Sequence, residues 1–340
     1  MSEHAKFPVD PARTKPSALP HVGMAGLGIM GSAMAATLIA RGFQVFGYDP
    51  DKAAARKAAA AGVILCDDLD SLASRCPRLL TSLPSADALL AVAKALIGTT
   101  RPELQRTGNA VHSPQGKAPQ GKATRKAGLI VAETSTIALE AKKAARAILA
   151  PAGIVLLDCP LSGTGAQART GDLAVYASGP ARAVRAMQPV FEGFSRVQFE
   201  LGAFGNGMKM KMVANLLVAV HNVAAAEAIL LGERLGLNPS ELVRVLSDGA
   251  GSSRMLQVRG PLMAEARWRE ATMKVDIWQK DMQIIAEALR EAGVPAPLFA
   301  ATVPIYNAAQ SLGHGQDDTA SVMAVLQAMT GSGSRKDRDA

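Results

Sequence analysis

Lys211 and Asn215 stand one helical turn apart in the run Gly205-Asn206-Gly207-Met208-Lys209-Met210-Lys211-Met212-Val213-Ala214-Asn215. An amine and a carboxamide at i and i+4 project from one face of a helix. There the amine can carry a proton, and the amide can hold a polar ligand without competing for it. Lys209 is a second amine, but it lies roughly 200° round the helix and cannot serve the same site. Continuing the Lys211 face gives Val218 and Asn222, an interrupted polar stripe on an apolar segment. For Lys211 to accept a proton near neutrality a fraction must be uncharged, which burial or a neighbouring cation would provide. Taken by itself, such a lysine usually just solvates a helix start or caps a glycine turn.

Far upstream, Gly26-Leu27-Gly28-Ile29-Met30-Gly31 follows the apolar run Val22-Gly23-Met24-Ala25 and opens a helix-forming stretch. A GxGxxG loop between strand and helix suits a dinucleotide. Its glycines allow a tight turn, close approach of a pyrophosphate to the backbone, and close packing of helix on strand. The helix N-terminus favours the phosphate charge. Asp49 ends the next β-rich run, Gln44 to Tyr48, 18 residues beyond Gly31. A carboxylate there can bind ribose hydroxyls and would repel a 2′-phosphate, so NAD is expected, with NADP left open by Lys52 and Arg56 nearby. The competing reading makes Asp49 a turn residue before Pro50. A nicotinamide takes a hydride and a lysine takes a proton; together they oxidise an alcohol.

The elements that must position these groups can be read in outline. Strand, glycine turn, helix (Ser32 to Arg41) and strand form a βαβ unit, which implies a parallel sheet. Leu79 to Leu83, Leu129 to Ala132 and Ile154 to Leu157 extend the series, and Ala174 to Ala177 and Val197 to Phe199 read as strands added at the sheet edge. The expected fold is an α/β Rossmann-type doubly wound parallel sheet over 21–200, followed by an all-α C-terminal domain over 201–330. One long helix beginning near Met208 joins them. Further helices are expected at Pro239 to Leu246, Val275 to Ala292, Leu298 to Leu312 and Ser321 to Met329. Residues 1–20 read as an extended N-terminal segment and 331–340 as a disordered tail.

Composition narrows the function classes. The 340 residues are 49% hydrophobic and only 4% aromatic, with 37 Lys and Arg against 29 Asp and Glu. That length suits two domains. The excess of +8 suggests a nucleic-acid partner until its location is considered. Arg101, Arg106, Lys117, Lys122, Arg125 and Lys126 against Glu103 give 100–127 a net +5, leaving +3 for the remainder. This stretch has no hydrophobic period and no Phe, Tyr or Trp on which a base could stack, so it reads as an exposed basic insertion and no nucleic-acid partner is expected. Cys66, Cys76 and Cys159 show no CxxC spacing, which points to reduced thiols and a cytoplasmic location. No secretory h-region is visible, and Asn215, His221, Asn222 and Glu227 would be costly in lipid, so no membrane partner is expected. His221 has no companion at metal-ligand spacing, and no metal is expected.

These blocks, in their order, resemble the β-hydroxyacid dehydrogenase family over Val22 to about Thr330, apart from the insertion. Beside the glycine loop and the Lys211–Asn215 helix stand Leu83-Pro84, Thr134-Ser135-Thr136-Ile137, Asp158-Cys159-Pro160-Leu161-Ser162-Gly163-Thr164, Lys280-Asp281 and Gly313-His314-Gly315-Gln316-Asp317-Asp318. The resemblance implies that Lys211 is the general acid/base and that Ser162, Gly163, Thr164 and Asn215 bind substrate. It further implies that Gly26, Leu27, Gly28, Ile29, Met30, Gly31, Asp49, Leu83, Pro84, Thr136 and Lys280 hold the cofactor. A small hydroxy acid is the implied substrate, and a homodimer or homotetramer the implied assembly. Gly249-Ala250-Gly251-Ser252-Ser253 and Val275-Asp276-Ile277-Trp278 look most like the L-threonate dehydrogenase branch. Thr164 stands where the family usually has a second glycine and would add a side chain near the substrate carboxylate. Without the resemblance, Ser162-Gly163 reads equally well as an ordinary glycine turn or as one whose N–H groups and hydroxyl hold a carboxylate, and Lys280-Asp281 as an exposed charge pair. Two alternatives remain: an imine reductase-like enzyme, and a non-catalytic binding protein that keeps the nucleotide fold. Both are expected to lack the lysine.

Overall fold

The structure, a computed structural model, describes residues 21–98 and 128–331. The N-terminal segment, the basic stretch 100–127 and the tail beyond 331 lie outside them. β1 (Val22–Ala25), α1 (Ile29–Ala40) and β2 (Val45–Tyr48) form the first unit, and α2 (Lys52–Ala60) leads to the short β3 (Ile64–Leu65). Next come α3 (Leu69–Arg75), β4 (Arg78–Thr81), α4 (Ala86–Ile97), β5 (Ile130–Glu133), α5 (Leu139–Leu149) and β6 (Val155–Asp158). All six strands are parallel, in the order β3-β2-β1-β4-β5-β6. That order reverses direction between β1 and β4, the switch point at which doubly wound sheets bind nucleotides.

Register explains why chemistry gathers on one edge. Tyr48, Ala25, Thr81, Glu133 and Asp158 lie side by side across five strands, each the last residue of its strand. The loops that follow therefore emerge together. Below that edge the side chains alternate. Val22, Met24, Leu80, Ala132 and Leu157 face one core with α1, and Ala25, Leu79, Val131 and Leu156 face the other with α3 to α5. Each face buries continuous apolar surface, as a sheet covered on both sides requires.

The remaining strands depart from expectation. β7 (Leu161–Ser162), β8 (Ala174–Ala177) and β9 (Val197–Glu200) do not extend the main sheet but form their own, in the order β7-β8-β9. It is tied to the first through the bridge between Asp158 and Ser178. α6 (Gly165–Arg169) and α7 (Ala181–Phe194) connect these strands. α7 closes the first core through Val184, Met187, Val190, Phe191 and Phe194.

Beyond Glu200 the described chain is helical. α8 (Asn206–Arg234) has 29 residues and is about 43 Å long. α9 (Pro239–Asp248), α10 (Arg254–Ala264), α11 (Val275–Ala292), α12 (Pro297–Ser311) and α13 (Val322–Met329) pack against it. α8 is long and apolar enough to cross a bilayer by length and composition. Its inner face, however, is the axis of a protein core containing Ala219, Val223, Ala226, Ile229, Trp278, Met282, Phe299, Tyr306 and Met323. Asn222 is fully buried there and donates to the Tyr306 hydroxyl (3.1 Å) and the Thr319 carbonyl (2.9 Å). It is a fastening inside the bundle, so the stripe of polar residues on α8 splits into two separate jobs.

Candidate active site

The glycine loop is built as its spacing requires, and each glycine has a different physical reason. Gly26 has φ +93°, and a Cβ there would meet the Ser82 carbonyl oxygen at 2.2 Å. A Cβ on Gly31 would lie 2.0 Å from the Gly26 carbonyl oxygen. Gly28 is unlike both. Its φ is −64°, and a Cβ would meet no protein atom within 4 Å. Neither backbone nor packing demands glycine at 28; the space beside it suits a ligand that approaches the main chain. Gly28 begins α1 without any side-chain cap, so the N–H groups of the first turn at Ile29, Met30 and Gly31 are available to an anion. These features fit a dinucleotide pyrophosphate.

Asp49 does two things. Its Oδ1 accepts the Asp51 N–H at 2.8 Å, the local turn that its position before Pro50 suggests. Its Oδ2 accepts the Leu27 N–H at 2.6 Å and so holds the glycine loop against β2. A carboxylate has about four lone-pair sites, so these bonds leave acceptor capacity for hydroxyl donors.

Two further loops come from β4 and β5. The Ser82 N–H bonds the Ala25 carbonyl (2.9 Å), Leu83 N–H donates to Ser135 Oγ (2.7 Å), and Thr134 donates through both N–H and hydroxyl to the Thr81 carbonyl. Leu83-Pro84 and Thr136 are thereby fixed beside the glycine loop. The Lys280 ammonium, from α11, donates to the Thr136 carbonyl. This bond joins the helical half to the strand edge.

Lys280 also pairs with Asp281 at 3.4 Å, and Asp281 Oδ2 accepts the Asn215 amide at 2.9 Å. Lys280 is partly exposed, whereas Asp281 is buried, so the pair is not the exposed one that its sequence alone suggested. Lys211 lies on the inward face of α8 with Asn215, both buried, while Lys209 points to solvent. The Lys211 ammonium makes no hydrogen bond or ion pair with any other described residue. Burial pushes its pKa down; Asp281 opposes the shift and the Lys280 charge adds to it. Burial likewise raises the Asp281 carboxyl, against the pull of Lys280 and Lys211. The spacing on α11 carries a signal for Asp281. It sits three residues after Trp278 and four before Ile285, a carboxylate on the buried stripe Val275, Trp278, Met282, Ile285.

The Ser162-Gly163-Thr164 turn leaves β7 beside the glycine loop, where a Cβ on Gly165 would meet Ile29 Cγ2 at 2.7 Å. Gly163 has φ +135°, so the turn depends on glycine there. The Thr164 side chain has a local role, because Thr164 and Gln167 form the capping box of α6. Three more residues sit at the strand edge. Lys142 of α5 is fully buried between Glu133 (2.6 Å) and Asp158 (2.7 Å), an ion cluster absent from the expected site. Burial disfavours its charge, but Glu133 and Asp158 outweigh that and hold its pKa above the ordinary lysine value. Lys142 shares the buried face of α5 with Ala145 and Leu149. As with Asp281, an ionic residue on an apolar stripe was the available clue.

Comparison with known proteins agrees with this architecture. Residues 21–202 match the NAD binding domain of 6-phosphogluconate dehydrogenase. Residues 205–326 match the family described as NAD-binding of NADP-dependent 3-hydroxyisobutyrate dehydrogenase. The chain is 31% identical over 307 residues to an L-threonate dehydrogenase of Cupriavidus necator, covering 90% of this chain and 96% of that protein. It is 26% identical over 310 residues to a 2-(hydroxymethyl)glutarate dehydrogenase of Eubacterium barkeri, covering 91% and 96%. Among solved structures, Mycobacterium tuberculosis 3-hydroxyisobutyrate dehydrogenase with L-serine superposes with a TM-score of 0.74 at 25% identity, covering 91% of this chain and 99% of that one. The chain is an NAD(P)-dependent dehydrogenase acting on the CH–OH group of a small hydroxy acid, and it belongs to the β-hydroxyacid dehydrogenase family.

Proposed function

We propose that the protein oxidises the hydroxyl-bearing carbon of a small polyol acid such as L-threonate with NAD, Lys211 serving as general acid/base. The observation that carries this reading is a buried lysine without a hydrogen-bond or ion-pair partner among the described residues, set beside Asn215, Asp281 and a Lys280 that is bonded to the strand-edge loop at Thr136. A nicotinamide bound at this edge supplies the hydride acceptor. Gly26, Leu27, Gly28, Ile29, Met30 and Gly31 would hold its pyrophosphate, Asp49 the ribose hydroxyls, and Leu83, Pro84, Thr136 and Lys280 the nicotinamide end. Residues 21–200 form the dinucleotide half in this reading and 201–330 the substrate and assembly half.

Lys211 must be neutral to accept the hydroxyl proton, and its burial beside Lys280 favours that form. In the reverse direction the ammonium returns the proton to the forming alkoxide. Asp281 holds the Asn215 amide in one orientation, so Asn215 can fix the substrate hydroxyl beside the amine. Ser162 and the Gly163 N–H suit the substrate carboxylate, with Thr164 setting the shape of the turn through its capping role. The identity to an L-threonate dehydrogenase and the Gly249–Ser253 loop favour a polyol acid.

Lys211→Ala should lower kcat at least ~100-fold with NADH affinity kept within about threefold. An unaltered kcat would remove the lysine from the chemistry. A screen of L-threonate, glycerate, 3-hydroxyisobutyrate and 3-hydroxypropionate with NAD and NADP tests the substrate and cofactor assignments.

The outer face of α8 exposes Met210, Val213, Leu217 and Leu231 at helical spacing, and we assign a second copy of the chain to cover it in a homodimer or homotetramer. Leu217→Lys should shift the mass measured by light scattering toward the monomer. The three free cysteines suit the reducing cytoplasm.

A further inference from the structure

We propose that the buried ion triad Glu133–Lys142–Asp158 is a positioning device that fixes the start of α8, and with it Lys211, against the loops bordering the dinucleotide site. The proposal rests on the reading of Lys211 as the acid/base.

Glu133 and Asp158 are cross-strand neighbours at the ends of β5 and β6, so one ammonium from α5 can reach both. Each carboxylate turns its other oxygen to a different part of the molecule. Glu133 Oε1 accepts the Ser135 N–H at 2.8 Å, and Ser135 Oγ accepts the Leu83 N–H at 2.7 Å. Asp158 Oδ2 accepts the Met208 N–H at 2.7 Å. Ser178, whose hydroxyl lies 3.0 Å from the Asp158 carbonyl and 3.2 Å from Oδ2, accepts the Gly207 N–H at 3.0 Å. A run of hydrogen bonds, completed by the Lys142–Glu133 ion pair, thus leads from Leu83 to Met208, three residues before Lys211.

The first turn of a helix leaves N–H groups without partners, and a side chain at the N-cap usually satisfies one of them. α8 starts on Gly205 and has no side-chain cap of its own. Its second and third N–H groups, at Gly207 and Met208, are met instead by Ser178 and Asp158, which come from the strands. The contact is tight, since a Cβ on Gly207 would fall 2.4 Å from the Tyr176 carbonyl oxygen and 2.7 Å from that of Asp158. Two carboxylates and one ammonium leave the triad with one negative charge, which the positive end of the helix dipole favours. A well-packed apolar trio would hold the sheet as well or better than three buried charges. What an apolar trio could not provide is a directional, charged cap at a fixed place.

The test compares Asp158→Asn, Ser178→Ala, Lys142→Met and the double variant Lys142→Met/Glu133→Gln. Each is measured for kcat per NADH-binding site, NADH Kd and melting temperature. Asp158→Asn should lower kcat per site by ~10- to 100-fold with NADH Kd within about threefold, and Ser178→Ala, which keeps all three charges, by ~3- to 10-fold. Lys142→Met leaves two negative charges or forces a carboxyl to take up a proton, and it should be severely impaired. Adding Glu133→Gln restores a single negative charge and should bring kcat back to within about fivefold of wild type. A merely structural triad would lower the melting temperature in every variant and leave kcat per site unchanged, which would overturn the proposal. So would a double variant no better than Lys142→Met. If Asp158→Asn does not fold, Ser178→Ala and the double variant decide the matter. Lys211→Ala measured alongside separates the two claims. An inactive Lys211→Ala beside fully active Asp158→Asn and Ser178→Ala sinks the positioning role alone, whereas an active Lys211→Ala sinks the acid/base reading.

Discussion

Alanine at Gly28 isolates the space reserved for the dinucleotide from the space the protein needs for itself. The backbone at 28 is one alanine can adopt, and the added methyl group would meet no protein atom within 4 Å. Two small terms act on the unliganded fold. Alanine is the poorer N-cap by up to ~1 kcal/mol, and loss of unfolded-chain freedom offsets roughly 0.4–1 kcal/mol of that. The melting temperature without cofactor should therefore move by less than about 3 °C. In the cofactor placement proposed above the methyl group occupies the volume through which a phosphate reaches the α1 N–H groups, and NADH Kd should weaken by about 30-fold, equivalent to ~2 kcal/mol. Gly31→Ala is the control. Its Cβ would fall 2.0 Å from the Gly26 carbonyl oxygen, a backbone atom that cannot rotate aside, so α1 must retreat by more than an ångström. Overpacking of that kind costs ~1–3 kcal/mol and should appear in the melting temperature without any ligand. Calorimetric titration with NADH and thermal unfolding of the apo protein are the assays. Wild-type affinity in Gly28→Ala would refute the reasoning, as would apo destabilisation equal to that of Gly31→Ala.

In the proposed role Lys211 loses its proton before oxidation, so kcat/KM for the alcohol should rise with pH along a limb lying below the ordinary lysine value of ~10.4. Lys280→Met removes a neighbouring cation and should move that limb to higher pH, and Asp281→Asn removes an anion and should move it lower; shifts in the opposite sense would show that another group controls the rate. Asp49→Ala should reduce the preference for NAD over NADP by ~10-fold in Kd ratio, and an unchanged ratio would leave Asp49 only its bonds to Leu27 and Asp51. Arg259→Met strands the buried Asp318 carboxylate, paired at 3.0 Å, and should cost ~3–5 kcal/mol by denaturant titration without altering NADH Kd. Burial opposes the Asp318 charge, but Arg259, Thr272 and backbone N–H groups outweigh it and lower the pKa. Its stabilisation is therefore complete above the ordinary carboxylate pKa and lost as acid carries the pH through the lowered value.

What could be read from the chain was whatever local spacing encodes. Gly26, Gly28 and Gly31 between a strand and a helix, Asp49 at the end of the next strand, and Lys211 with Asn215 at i+4 all report through short-range pattern. The partner of a strand does not. Ala174 to Ala177 and Val197 to Phe199 were legible as strands, yet alternation alone could not say that they form a sheet of their own with Leu161–Ser162. The ion triad was hidden for a related reason: Glu133, Lys142 and Asp158 are joined by strand register and not by any spacing in the sequence. Lys142 beside Lys143, and Asp281 beside Lys280, look like solvated charges until the apolar stripe of each helix is traced through them. Asn222 shows the converse error, since it continues the Lys211 face at helical spacing but spends its amide on Tyr306 and Thr319.

The clamp on Gly207 and Met208 gives α8 the mechanics of a lever with its fulcrum at one end. Lys211 lies only about 6 Å along the axis from that joint, while Arg234 lies about 40 Å away. A 5° swing of the helical bundle about the fulcrum would carry the far tip by roughly 3.5 Å and the amine by only about 0.5 Å. Large displacements at the periphery of the bundle would then leave the Lys211 nitrogen nearly still.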